Sequence, residues 1–225
     1  MIWRFDNANS LYYALIDAFK KLPAAPNIAL PTGNTMIPFY KLAAEHHSEL
    51  KTETWSCFQL DEYFPITQEN SALSFKNFLE KHFFSNALVK EAFFFENFPN
   101  PVDYEKKITE KGGLDIVLLG IGQNGHIAFN EPGSEPTSRT RIIKLHPETL
   151  MANFKGATPF TEAVTLGIET ILEAKKIYIV AHGKGKANAV KSAIKDPESR
   201  ACPASFLRRH SDVTWFLDPE AAELL

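Results

Sequence analysis

The sequence predicts an α/β fold: a single domain over residues 1–225, built on a doubly wound, mostly parallel sheet with helices on both faces (Rossmann-like). Three observations predict it. Short apolar runs alternate with amphipathic ones along the chain. Polar and glycine-rich signals fall where the apolar runs end, the place where such sheets keep their ligands. And 225 residues, 44% hydrophobic and 23% charged, suffice for one sizeable core.

The elements follow in chain order. "NIAL" from Asn27 reads as a strand, and the stretch from Thr35 to about Leu50 as an amphipathic helix. "CFQL" from Cys57 is a second strand, followed by a polar loop and the helix-like "SFKNFLEKHFF". Leu114 to Leu119 forms a third, buried strand, after which Gly120, Gly122 and Gly125 permit a tight turn. "KIYIVAHG" is a fourth strand with "GKANAVKSAI" as its helix, and "VTWFLD" from Val213 is a late strand. "ENFPNPVDY" reads as a loop because of Pro99 and Pro101, and residues 154–159 as a mobile connection. No repeat, charge block or low-complexity segment marks a second domain.

Composition narrows the function classes. A formal charge of -3 exerts no global pull toward nucleic acid or anionic membrane, so a small molecule is the expected partner. "MIWRFDNANSLYYAL" lacks the basic leader, apolar core and cleavage site of a signal peptide. No apolar run approaches the roughly 18 residues that span a bilayer. Cys57 and Cys202 are too few for a disulfide framework and lack metal-ligand spacing, so reduced thiols in a cytoplasmic protein are expected.

Four strand ends carry the candidate chemistry. In "LPTGNT", a strand meets a helix start through Gly33 flanked by Thr32 and Thr35; free backbone N–H groups there favour an anion, unless the segment is an ordinary capped helix. No lysine follows as in the ATP-type phosphate loop. Lys184 and Lys186 sit at a second helix start, as solvated surface charges or as partners of a phosphate. In "LDEYF", Asp61 and Glu62 point to opposite faces of an extended chain, so only one can face a given pocket; Asp61 is a turn residue or a general base. His126 and Glu131 follow the glycine turn, where a carboxylate can orient an imidazole. His126 has no second histidine at metal-ligand spacing, and no GxSxG serine elbow occurs. Acid and base work on a phosphorylated substrate, without metal or cofactor, is the economical reading.

"LPTGNT", "LDEYF", "GIGQNGHIAFNEPGS", "SRTR" and "AVTLGIETIL", in this order, resemble the glucosamine-6-phosphate deaminases from about Asn27 to Asp218. The related 6-phosphogluconolactonases share the glycine-histidine turn but continue toward "SLFP", whereas this chain continues "AFNEPGS" and keeps Glu131. The resemblance implies conversion of glucosamine 6-phosphate and water to fructose 6-phosphate and ammonia. It implies that His126 opens the sugar ring with Glu131, that Asp61 moves a proton between C2 and C1, and that the loop of Thr32, Gly33, Asn34 and Thr35 holds the phosphate with Lys186. Asn124 stands where some members carry an aspartate beside the histidine, keeping a hydrogen bond but no charge. Lys155 stands at the position of the family's phosphate-binding arginine, with charge but no bidentate fork. Galactosamine 6-phosphate deamination, lactone hydrolysis and silent sugar-phosphate sensing are the rival expectations. The protein is a monomer or homo-oligomer on this reading. The chain ends ten residues after Trp215, where longer members continue into an activator site, so unregulated kinetics are expected.

Overall fold

In chain order the strands are β1 (Ile2–Arg4), β2 (Asn27–Leu30), β3 (Ser56–Gln59), β4 (Asp61–Phe64), β5 (Glu91–Phe93), β6 (Ile116–Gly120), β7 (Arg141–Lys144), β8 (Glu162–Thr165), β9 (Ile177–Ala181) and β10 (Val213–Leu217). They belong to a computed structural model that describes residues 1–98, 100–154 and 159–225. Seven of them form one sheet in the order β1-β10-β9-β6-β2-β3-β5, with every pairing parallel.

The strands are apolar at nearly every position because both faces of the sheet are covered. Period-two alternation divides their side chains between two cores. Ile28, Leu30, Ile116, Leu118, Tyr178, Val180 and Phe216 face α1 (Ala8–Phe19) and α2 (Ile37–Glu45), meeting Leu15, Phe19, Phe39 and Tyr40. Ala29, Val117, Leu119, Ile179 and Trp215 face the other way, among residues of α5 (Pro101–Glu110), α7 (Ile168–Leu172) and α8 (Ala187–Ile194). Local chemistry sets the helix starts. Asn7 accepts from Ser10 N at 2.9 Å ahead of α1, and Asn100 accepts from Val102 N at 3.1 Å ahead of α5.

A small second sheet accompanies the expected mostly parallel one. β4, β8 and β7 pair antiparallel in the order β4-β8-β7, placing Asp61 opposite Thr165 and Thr165 opposite Arg141. Tyr63, Phe129, Leu145, Phe160 and Ala163 form its own apolar cluster. Leu60 joins the two sheets, donating to Leu30 O at 3.2 Å and accepting from Leu166 N at 3.0 Å.

Two expectations need correction. The stretch from Thr35 to Leu50 is not one helix but a 3-10 turn at Asn34–Met36, then α2, then the short α3 (His47–Leu50). And "VDY" belongs to α5 rather than to a loop, because Pro101 at the first helical turn starts a helix instead of breaking one. Among the described residues no helix is long and apolar enough to cross a membrane. Cys57 and Cys202 are free and buried.

Candidate active site

Four adjacent strands, β9, β6, β2 and β3, release their polar segments at one edge of the sheet. The chain passes from β2 to β3 on one side and later adds β6 on the other, so β2 and β6 meet at a topological switch point, where the outgoing loops diverge and leave a crevice.

The loop leaving β6 brings His126 and Glu131 together. Gly122 makes this possible: a Cβ there would lie 2.3 Å from the His126 ring, so the imidazole rests directly on the glycine backbone. Gly125 has φ +83, and a Cβ on it would meet Cys202 Sγ at 2.5 Å; Ala204 N donates to its carbonyl at 2.9 Å. The turn is therefore backed by buried packing.

Asn124 sits between the two titratable groups. Its Oδ1 lies 2.8 Å from His126 Nδ1, and its Nδ2 donates to Glu131 Oε2 at 3.0 Å; His126 Nδ1 is itself 3.4 Å from Glu131 Oε2. Because the amide nitrogen is committed to the carboxylate, its oxygen must accept, and the network assigns the Nδ1 proton to His126. Nε2 is then the nitrogen with a free lone pair. Burial pushes the Glu131 carboxyl up, but the hydrogen bond and charge of His126, with bonds from Thr149 and Asn124, outweigh it and hold the group at about 2.

Asp61 and Glu62 divide as the extended backbone requires. Glu62 accepts from Gln59 Nε2 at 2.7 Å, Tyr63 N at 2.9 Å, Phe75 N at 2.8 Å and Lys76 N at 2.9 Å, which makes it a structural carboxylate at the start of α4 (Phe75–Leu79). Asp61 is buried and has no hydrogen bond to its carboxylate among the described residues. Burial, reinforced by the neighbouring Glu62 charge, pushes its carboxyl well above the usual range. Asp61 opens β4 instead of ending β3, and its partner Thr165 accepts from Phe129 N at 3.2 Å, linking it to the β6 loop.

The loops leaving β2 and β9 share one backbone design. Gly33 (φ +99) and Gly183 (φ +85) each precede a 3-10 turn, Asn34–Met36 and Lys184–Lys186, that runs into a helix. Met36 N donates to Gly33 O at 2.9 Å and Lys186 N to Gly183 O at 3.0 Å. They flank β6 on both sides. Thr32 and Thr35 are half-buried and Gly33 and Asn34 exposed. Lys186 is half-buried, has no ion pair among the described residues, and is lowered by burial. A half-buried ammonium without a carboxylate is poised for an anion. Gln123 bridges two of the loops, since a Cβ on Gly185 would stand 3.1 Å from its Nε2. Lys155 lies outside the described residues.

Sequence reasoning missed Thr149, whose hydroxyl donates to Glu131 Oε1 from α6 (Pro147–Phe154), eighteen residues along the chain. It also missed Asn130, which donates to Ile127 O at 3.1 Å and Leu166 O at 2.8 Å and accepts from Arg141 Nη1 at 3.0 Å. Neither has a local signal, because the partners meet only through the second sheet. No group of metal-ligating side chains occurs among the described residues. A cleft of about 330 Å³, lined by Trp3, Lys21, Lys175, Lys176 and Tyr178 among others, lies at the opposite strand ends, away from these groups.

Comparison with known proteins places the chain in a family. The pattern of the family described as glucosamine-6-phosphate isomerases/6-phosphogluconolactonase matches residues 7–215. The chain is 38% identical over 238 residues to a glucosamine-6-phosphate deaminase of Colwellia psychrerythraea, covering 98% of this chain and 88% of that one. It is 36% identical over 226 residues to one of Exiguobacterium sibiricum, covering 97% and 88%. A solved monomeric glucosamine-6-phosphate deaminase superposes with a TM-score of 0.88 at 30% identity, covering 100% of this chain and 99% of that one. The 6-phosphogluconolactonase of Trypanosoma brucei shares the fold at a TM-score of 0.76 and 22% identity, covering 100% and 98%. By profile, by sequence and by fold, the chain belongs to the glucosamine-6-phosphate isomerase/6-phosphogluconolactonase family.

Proposed function

We propose that this chain is a glucosamine-6-phosphate deaminase, converting glucosamine 6-phosphate and water to fructose 6-phosphate and ammonia. The observation that carries the reading is the bridge from His126 through Asn124 to Glu131. It supports a base with a free Nε2 and an ionised carboxylate behind it. On this reading Nε2 takes the anomeric hydroxyl proton, Glu131 stabilises the imidazolium, and the imidazolium returns the proton to the ring oxygen as the bond from C1 to that oxygen breaks. Asp61, made more basic by burial, takes the proton from C2 and delivers it to C1. Water then adds at C2 of the resulting imine and ammonia leaves. The steps transfer protons, form a bond from C2 to the water oxygen and break the bond from C2 to nitrogen, and none requires an electron acceptor.

The substrate phosphate would lie between the two glycine loops, held by Thr32, Gly33, Asn34, Thr35 and Lys186, with Lys155 as a further cation. Similarity to the relatives supports glucosamine over lactone chemistry, and similarity to the monomeric deaminase supports one catalytic unit of residues 1–225 acting as a monomer. A small-molecule enzyme of this kind works in the cytoplasm, without nucleic acid.

The test is to incubate the purified protein separately with glucosamine 6-phosphate, galactosamine 6-phosphate and 6-phosphogluconolactone, measuring ammonia and product acid. Ammonia from the first is expected. Faster release from the galactosamine epimer would reassign the substrate, and acid without ammonia would make the protein a lactonase.

A further inference from the structure

Glu131 is 8% exposed, and its two carboxylate oxygens are held from different parts of the chain. Oε2 belongs to the β6 loop, bonded to Asn124 and close to His126. Oε1 accepts from Thr149, a buried hydroxyl on α6. Helix α6 is not part of the seven-stranded sheet or its covering layers; it lies between β7 and β8 of the small sheet. Leu150 and Phe154, four residues apart on one helix face, pack on the aromatic cluster, with Phe154 5.1 Å from Tyr63 and 5.9 Å from Phe160 between ring centres. Tyr63 in turn lies 5.4 Å from Phe129, two residues before Glu131. The helix therefore grips the β6 loop twice, once through rings and once through a hydroxyl.

A carboxylate fixed at one oxygen still turns about its last side-chain bond. Fixed at both, it cannot, and a buried oxygen stripped of its donor bears a desolvation penalty. We propose that Thr149 is a positioning residue for the acid–base step: its hydroxyl locks the Glu131 carboxylate against Asn124 and His126, so that the seating of α6 determines whether the imidazole has its counter-charge in place. This rests on the deaminase reading for the reaction that is affected, but the lock itself is a property of the free protein.

Two readouts separate these. His126 is the titratable group in contact with Glu131, and Thr149 and Asn124 are neutral donors. In the substrate-free protein, the Glu131 carboxyl is titrated by carboxyl-carbon NMR in wild type, Thr149→Val and Thr149→Ser, with Thr149→Ala as a second hydroxyl-less variant should valine perturb folding. Loss of the hydroxyl removes a bond to the charged form, so the midpoint moves up by about one unit, while serine keeps the wild-type value. In the ammonia assay the hydroxyl-less variants lose about tenfold in kcat with KM within about twofold, and serine restores kcat. An unshifted midpoint, a serine variant that behaves like valine, or a shifted midpoint with unchanged kcat would each overturn the proposal. A wild-type protein that titrates as described yet releases no ammonia would sink the deaminase reading and leave the lock standing.

Discussion

Asp61 carries the sharpest conflict between stability and chemistry. Its carboxyl is raised by burial and by Glu62, and no described donor compensates its charge. A carboxyl with a raised folded value costs stability as pH climbs from the unfolded value, about 3.9, toward the folded one. Asp61→Asn is therefore expected to lower turnover by at least about 100-fold with little change in KM, while its melting temperature gains on wild type as pH rises from about 4 to 7. Near-normal turnover in the folded variant would remove Asp61 from the reaction, and a growing loss of stability would contradict the burial argument. Lys186 poses the opposite case, a cation disfavoured by burial until an anion arrives. Lys186→Ala should raise KM more than it lowers kcat and weaken competitive inhibition by inorganic phosphate about tenfold or more. Unchanged phosphate inhibition would show that the ammonium points elsewhere.

At the scale of elements, two glycines show why the same substitution can strike either chemistry or folding. A Cβ on Gly122 would lie 2.3 Å from the His126 ring, a side chain that can swing aside. A Cβ on Gly167, at the start of α7, would lie 2.0 Å from Ser138 O, a backbone atom that cannot. Gly122→Ala is expected to lose roughly 100-fold in kcat with a nearly unchanged melting temperature, since a displaced imidazole no longer meets Asn124 and Glu131. Gly167→Ala is expected to lose roughly 2–4 kcal/mol of stability, because Ser138 also accepts from Glu169 N and its hydroxyl from Ile168 N. Thermal unfolding beside the ammonia assay decides both, and a reversal of the two patterns would refute the contact analysis. The glycine turn itself was legible in "GIGQNGHIAFNE", but which glycine serves the imidazole was not, because that contact depends on the fold of the turn.

For the whole molecule, the question is whether distant groups are free to report on a ligand. Arg139 is committed to Glu105 at 3.1 Å and also bonds Glu173; Glu105 further accepts from Thr140 N at 2.8 Å and from the Thr170 hydroxyl. This network ties α5, α7 and the approach to β7 together without leaving Arg139 for a ligand. An arginine so paired offers an effector no differential contact with which to shift a conformational balance. Hyperbolic kinetics are expected over a glucosamine 6-phosphate series, unchanged by N-acetylglucosamine 6-phosphate. A sigmoidal curve that the N-acetylated sugar makes hyperbolic would reveal a regulatory site.

The sequence by itself determined the parallel core and the loops that carry the candidate site residues. Apolar runs buried on two faces announce their strands locally, and the glycine turns, Asp61, His126 and Glu131 follow those strands at fixed distances along the chain. It also foretold that Asp61 and Glu62 would part, since that follows from the extended backbone alone. Only the tertiary structure decided which groups touch. The antiparallel β4-β8-β7 sheet joins segments about a hundred residues apart in chain order, and through it Asp61 faces Thr165, Thr165 supports Phe129, and Thr149 reaches Glu131. Such pairings have no periodicity to read. They arise when long-range burial closes loops whose ends carry no local mark of each other, and the hydrogen bonds that tune the site form only afterwards.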